Sequence, residues 1–139
     1  MPHETTVRVR YEETDQMRVV YHSNYLVYFE VGRSEMLRSL KLPYTEMEDK
    51  GIVLAVTEAQ ASYHKPARYD DLLTVRTRIE ELGKSRIKLC YQVLRAGELL
   101  CDGHTTHAFL AAEQGMRPVR VPDYVRAALE PLIETSRVA

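Results

Sequence analysis

Asp15 and His22 lie in the stretch Tyr11 to Leu37, YEETDQMRVVYHSNYLVYFEVGRSEML, at the boundary between a polar loop and an apolar run. After His22, Tyr25, Phe29, Gly32, Met36 and Leu40 recur at helical spacing. Ser23 or Asn24 suits the N-cap of that helix, because its side chain can accept an orphan backbone N–H. A carboxylate and an imidazole therefore precede a helix N-terminus, where free N–H groups and the helix dipole favour negative charge. A carboxylate beside an oxyanion stabiliser is the starting equipment for acyl transfer. Taken alone, Asp15 beside Thr14 also fits an ordinary Asx turn.

The helix that would position this pair runs from about Ser23 to Leu40. Leu26, Val27 and Val31 add apolar surface opposite the main stripe, so its first turns are expected to be wrapped by protein on several sides. Glu30, Arg33, Glu35 and Arg38 interrupt the run too early for a membrane span. Gly32 costs stability in mid-helix, and reads either as close approach of another backbone or as a tolerated glycine. Before the loop, Val7, Val9 and Tyr11 alternate as one face of a strand. After the helix, Pro43 opens a short helical piece, Tyr44 to Lys50, closed by Gly51.

Four strand-like segments follow. Ile52 to Tyr63 is expected to place Val53, Ala55, Thr57, Ala59, Ala61 and Tyr63 on one face. Leu72 to Leu82, Arg86 to Leu94 and Leu99 to Ala112 alternate apolar residues with charged ones such as Arg76, Arg78, Lys88 and Asp102. Short turns at Gly83-Lys84-Ser85 and Ala96-Gly97-Glu98 imply antiparallel meanders with one face on a core. A last helix, Asp123 to Ile133, is weakened at its end by Pro131. One helix followed by a long antiparallel sheet gives an α+β class.

At 139 residues the chain reads as one domain, 1–139. With 45% hydrophobic and 28% charged residues and a net charge of −1, nothing favours nucleic-acid or membrane partners. No signal peptide is visible, and Cys90 and Cys101 read as buried free thiols in a reducing cytoplasm. His104 and His107 should point to opposite faces of a strand, and Cys101 would lie roughly 20 Å from His107, so no metal-ligand set is expected. No Gly-rich phosphate loop of Walker or Rossmann type is present.

The run T-D-Q-M-R-V-V-Y-H-S-N-Y-L-V-Y-F-E-V-G-R, Thr14 to Arg33, resembles the signature of the 4-hydroxybenzoyl-CoA thioesterase-like hotdog family, in particular its YbgC-type branch. One position departs: Arg18 stands where the family carries Gly. The resemblance implies a five-stranded antiparallel sheet wrapped around a central helix, and acyl-CoA thioester hydrolysis without a cofactor. It implies that Asp15 attacks the thioester carbonyl or activates water, and that backbone N–H groups from His22 onward polarise that carbonyl. The His22 ring would act directly, cap the helix or order a water. Tyr21 and Tyr25 would shape the acyl pocket. Lys84, Ser85 and Arg86 match the family's basic cluster for the phosphates of coenzyme A, with His64, Lys65 and Arg68 as a second basic loop. A homodimer or homotetramer with active sites at the interface follows from the same resemblance. Two other functions stay open. A hotdog hydratase or dehydratase would use an Asp–His pair at closer spacing or a His–Glu pair. A non-catalytic acyl-CoA-binding module would follow if Arg18 blocked the site.

Overall fold

The computed structural model describes residues 2–138, with side chains described to residue 133. Strand β1 (His3–Arg8) leads through a 3-10 turn at Tyr11–Glu13 into the Asp15 loop and helix α1 (Asn24–Ser39). Helix α2 (Tyr44–Asp49) follows, then strands β2 (Ile52–Tyr63), β3 (Leu72–Leu82), β4 (Arg86–Arg95) and β5 (Glu98–Ala111). The two-residue strand β6 (Arg117–Pro118) and helix α3 (Asp123–Val138) complete the chain. The sheet runs β1-β3-β4-β5-β2, every neighbouring pair antiparallel, with β6 adding a sixth short strand on β5. The expected five strands are its main path.

Helix α1 packs on β1, β3 and β4, α2 on β2, and α3 on β3. Phe29 of α1 stacks on Tyr91 of β4, ring centroids 4.4 Å apart, and both are buried. Gly32 lets α1 approach the sheet. A Cβ there would sit 2.5 Å from Thr77 Oγ1 and 2.8 Å from Val75 Cγ1, so the glycine makes room for side chains of β3 rather than for another backbone. Beside it lies a buried polar chain. The Tyr91 hydroxyl and Thr105 Oγ1 are 2.6 Å apart, Thr105 Oγ1 and His107 Nε2 2.8 Å, while Arg33 Nε donates to the Tyr44 hydroxyl.

Three local expectations change. The first strand spans His3–Arg8, and Tyr11 is exposed in the 3-10 turn rather than facing the core with Val7 and Val9. In β2, a bulge between Val56 and Glu58 inserts Thr57, so the side-chain alternation flips. Directly opposed residues share a face. Leu54 faces buried Phe109 and Val56 faces buried His107, whereas beyond the bulge Ala59, Ala61 and Tyr63 take that side. The expected Val53 and Ala55 are thus on the other face. Helix α3 continues past Pro131 to Val138. Cys101 is buried and Cys90 half-buried, both free, and burial pushes their thiols up to about 12 and about 11.

Candidate active site

The Asp15 loop is a tight reversal held by its own backbone. Asp15 N–H donates to Val19 O at 3.0 Å, Arg18 N–H donates to Asp15 O at 2.9 Å, and Thr14 bridges to Val20. Arg18 closes the turn at φ +65°, a left-handed conformation that glycine adopts without penalty, which explains the glycine of the motif. Asp15 Oδ1 accepts the Met17 N–H at 2.8 Å, so the Asx turn is present. Oδ2 accepts no hydrogen bond from the described residues. The Asx turn fixes one carboxylate oxygen and leaves the other without a partner among the described residues.

Glu13 anchors this loop to α1. Its buried carboxylate accepts the Arg10 N–H at 2.8 Å and the Tyr28 hydroxyl at 3.0 Å. Its carbonyl accepts the Tyr21 N–H and the Asn24 side-chain amide, each at 2.9 Å. Burial, and then the hydrogen bond to the Glu13 carboxylate, raise the Tyr28 phenol far above its ordinary range, so it remains a proton donor. Nothing in a sequence pattern marks Glu13 for this role, because its partners are eleven and fifteen residues away.

The helix start differs from expectation. Ser23 is the N-cap but sits in helical conformation and makes no side-chain capping bond. The amides of Asn24, Tyr25 and Leu26 donate back to the carbonyls of Tyr21, His22 and Ser23. These N–H groups are therefore engaged. At the loop–helix junction the amides of His22 and Ser23 donate to no carbonyl among the described residues.

Asp15, His22 and Tyr25 line one cleft of about 280 Å³, together with Tyr63, His64 and Lys65. Tyr63 was not foreseen as a site residue. Its hydroxyl donates to the His22 carbonyl at 3.2 Å, and its ring meets Tyr25 edge-on at 5.3 Å. Tyr25 is buried, and its hydroxyl oxygen accepts the Ala67 N–H at 3.3 Å, tying α1 to the loop after β2. Burial raises both phenols, so Tyr25 and Tyr63 stay neutral near pH 7. The His22 ring is exposed, 4.3 Å from the Tyr21 ring. Tyr21 is exposed and does not line the cleft within one chain.

Lys84, Ser85 and Arg86 line a separate groove of about 350 Å³ at the β3–β4 turn. The turn is pinned by the Phe109 N–H on Ser85 O and the Val121 N–H on Lys84 O. Arg86 opposes Ala108 on β5, whereas Tyr63 opposes Cys101. Seven strand residues separate those two levels, so the groove is about 24 Å from the Asp15 cleft within one chain. Lys65, which lines the cleft itself, pairs with Glu98 at 2.6 Å. Among the described residues no group of three His, Cys, Asp or Glu side chains converges. His107 is buried while His104 bonds Glu58, on opposite faces of β5.

A family model described as the thioesterase-like superfamily matches residues 9–129. The chain belongs to that family. It is 36% identical over 127 residues to the acyl-CoA thioesterase YbgC of Haemophilus influenzae, covering 91% of this chain and 93% of that one. A crystal structure of a hypothetical protein from Thermus thermophilus is 39% identical, with a TM-score of 0.88 over 93% of this chain and 98% of its own. The DHNA-CoA thioesterase of Staphylococcus aureus is 29% identical, with a TM-score of 0.87 over 99% of this chain and 91% of its own. The wrapped sheet and central helix are thus the hotdog fold of this thioesterase family, as the Thr14–Arg33 motif implied.

Proposed function

We propose that this hotdog thioesterase hydrolyses an acyl-CoA thioester to the free acid and coenzyme A, with Asp15 as its catalytic carboxylate. The observation that carries the assignment is the Asp15 cleft. A carboxylate held by one oxygen faces the same space as the start of a buried helix. The thioester carbonyl oxygen sits against the unengaged His22 and Ser23 amides, which hold the developing negative charge. Asp15 attacks the carbonyl carbon or takes a proton from the water that does. Coenzyme A leaves as the thiolate and takes up a proton; in the route where Asp15 attacks, water then hydrolyses the acyl–Asp15 anhydride to release the free acid. The role of His22 lies in its backbone N–H, and the carbonyl of the same residue is steadied by Tyr63. Tyr25 walls the acyl side of the cleft.

The active unit is a homodimer, or a pair of such dimers. Strand β2 is an open edge whose Val56 is 53% exposed, and Val27 of α1 is 46% exposed. Apolar side chains on an open edge call for a partner strand. Pairing β2 antiparallel with β2 of a second copy brings each Tyr63 end to the other copy's Ile52 end. Ile52 opposes Ala111 near the Arg86 level, so the partner's β3–β4 turn approaches the Asp15 cleft. This supports phosphate binding by Lys84, Ser85 and Arg86 across the interface, and resolves their separation within one chain. Free thiols at Cys90 and Cys101 support a reducing, cytoplasmic setting.

The test is steady-state hydrolysis of a panel of aliphatic and aromatic acyl-CoA thioesters by the parent, Asp15→Asn and His22→Ala. Asp15→Asn should melt like the parent, still bind coenzyme A and lose nearly all kcat. His22→Ala should be milder, because the backbone N–H is retained. Near-parental turnover by Asp15→Asn would sink the assignment. Binding without turnover by the parent across the whole panel would favour the binding-module function.

A further inference from the structure

We propose that Asn24 is a positioning residue for thioester hydrolysis, which sets where the His22 and Ser23 amides stand relative to Asp15. The proposal rests on the roles given above to Asp15 and those amides. Asn24 opens α1, next to the place where an asparagine would cap the helix with its own side chain. Its side chain goes elsewhere. Nδ2 reaches eleven residues back and donates to the Glu13 carbonyl at 2.9 Å. The same oxygen accepts the Tyr21 N–H, also at 2.9 Å. A carbonyl oxygen has two lone pairs, and both are then in use. Between Tyr21 and Asn24 stand only His22 and Ser23, whose amides donate to no carbonyl among the described residues. Both ends of that two-residue stretch are therefore tied to one atom.

That atom belongs to the same arm of the loop as Asp15. Glu13 stands two residues before Asp15, and the ladder continues between them, with Thr14 bridged to Val20 and the Asp15 N–H on the Val19 carbonyl. Glu13 itself is held firmly. It is buried, its N–H donates to the Arg10 carbonyl at 2.9 Å, and its carboxylate accepts the Tyr28 hydroxyl at 3.0 Å. Tyr28 lies four residues after Asn24, on the same face of α1. The helix thus meets Glu13 at two successive turns, once through the carbonyl and once through the carboxylate. The Tyr21 bond belongs to the loop's own backbone ladder and does not need Asn24. The Asn24 bond is the one that carries the position of that ladder over to the helix start. A reacting group misplaced by about 1 Å costs on the order of a hundredfold in rate, so loss of this contact should be felt in kcat.

The experiment compares the full chain with its Asn24→Ala variant in steady-state hydrolysis of the acyl-CoA panel, in coenzyme A binding by calorimetry and in thermal melts. Alanine is a good helix former, and the Glu13 carbonyl keeps the Tyr21 N–H, so the substitution orphans no buried polar group. Asn24→Ala should lower kcat about ten- to a hundredfold. KM and coenzyme A affinity should stay within about twofold of the parent. The melting temperature should stay within a few degrees. Asn24→Ser, one heavy atom too short for the contact but well suited to a helix start, serves in its place should Asn24→Ala melt below the assay range. Parental kcat in the variant would overturn the proposal, as would a raised KM at unchanged kcat, which would place Asn24 in substrate binding. A fall in kcat that comes with weakened coenzyme A binding and a melting temperature lower by ten degrees or more would make Asn24 a residue of the fold alone, and would also overturn it. A parent that hydrolyses nothing in the panel fails the thioesterase reading and this proposal with it, whereas an active parent with an equally active variant fails this proposal alone.

Discussion

Replacing His107 by Gln should remove a loss of stability that the parent suffers between pH 7 and pH 5. The imidazole is 1% exposed. Burial first, and the Arg33 guanidinium second, lower its pKa from the ordinary 6.5 to about 4. The geometry gives the reason. Nε2 is paired with Thr105 Oγ1, while Nδ1 has no partner among the described residues, so the imidazolium would bury a donor with nothing to accept it. As the pH falls through 6.5 the unfolded chain takes up this proton, and the folded chain resists it until about pH 4. Stability from the neutral ring is therefore complete above 6.5 and is lost as the pH falls towards 4. Linkage puts the loss at about 2 kcal/mol at pH 5, against a few tenths at pH 7. Gln reaches the same hydroxyl with a side chain that does not titrate. The assay is urea unfolding of parent and His107→Gln at both pH values and one protein concentration. Other titrating groups cancel in the comparison. The parent's stability relative to the variant should fall by about 2 kcal/mol on going to pH 5. A difference that is the same at both pH values would refute the linkage.

Gly32→Ala should destabilise the fold by about 1–3 kcal/mol in urea melts, because its Cβ collides with Thr77 and Val75. A neutral result would mean that α1 can lift from the sheet at no cost. Arg18→Gly relieves a left-handed residue but loosens the unfolded chain, so the net change should be a gain of about 0–1 kcal/mol with activity retained. A melting temperature several degrees lower would show that the Arg18 side chain holds the loop. Lys84→Ala and Arg86→Ala should raise KM for acyl-CoA several-fold with little change in kcat, less so at high salt. An unchanged KM would move phosphate binding to Lys65 and Arg68, beside the Asp15 cleft.

What was legible in the chain was local. The Thr14–Arg33 motif, the α1 stripe and the Asx turn at Asp15 depend on side chains within a few turns of one another, or on backbone freedom at one residue. Periodicity and turn chemistry report such things directly. The α+β class followed for the same reason, since the order of elements is itself a local property. What needed the tertiary structure depends on pairing at a distance. The bulge at Thr57 moved Val53 and Ala55 to the other face, and only the β5 register shows it. Tyr63 reaches His22 across 41 residues. Glu13 was one acid among twenty until Tyr28 and Asn24 folded onto it. The first-turn amides were expected to be free, and the fold engages three of them with carbonyls of the turn before. Leu26 and Val27 read as core because apolar residues seek burial, yet in one chain they are exposed. A sequence encodes how much apolar surface must be covered, but the atoms that cover it are fixed only by the packing of elements far apart in the chain.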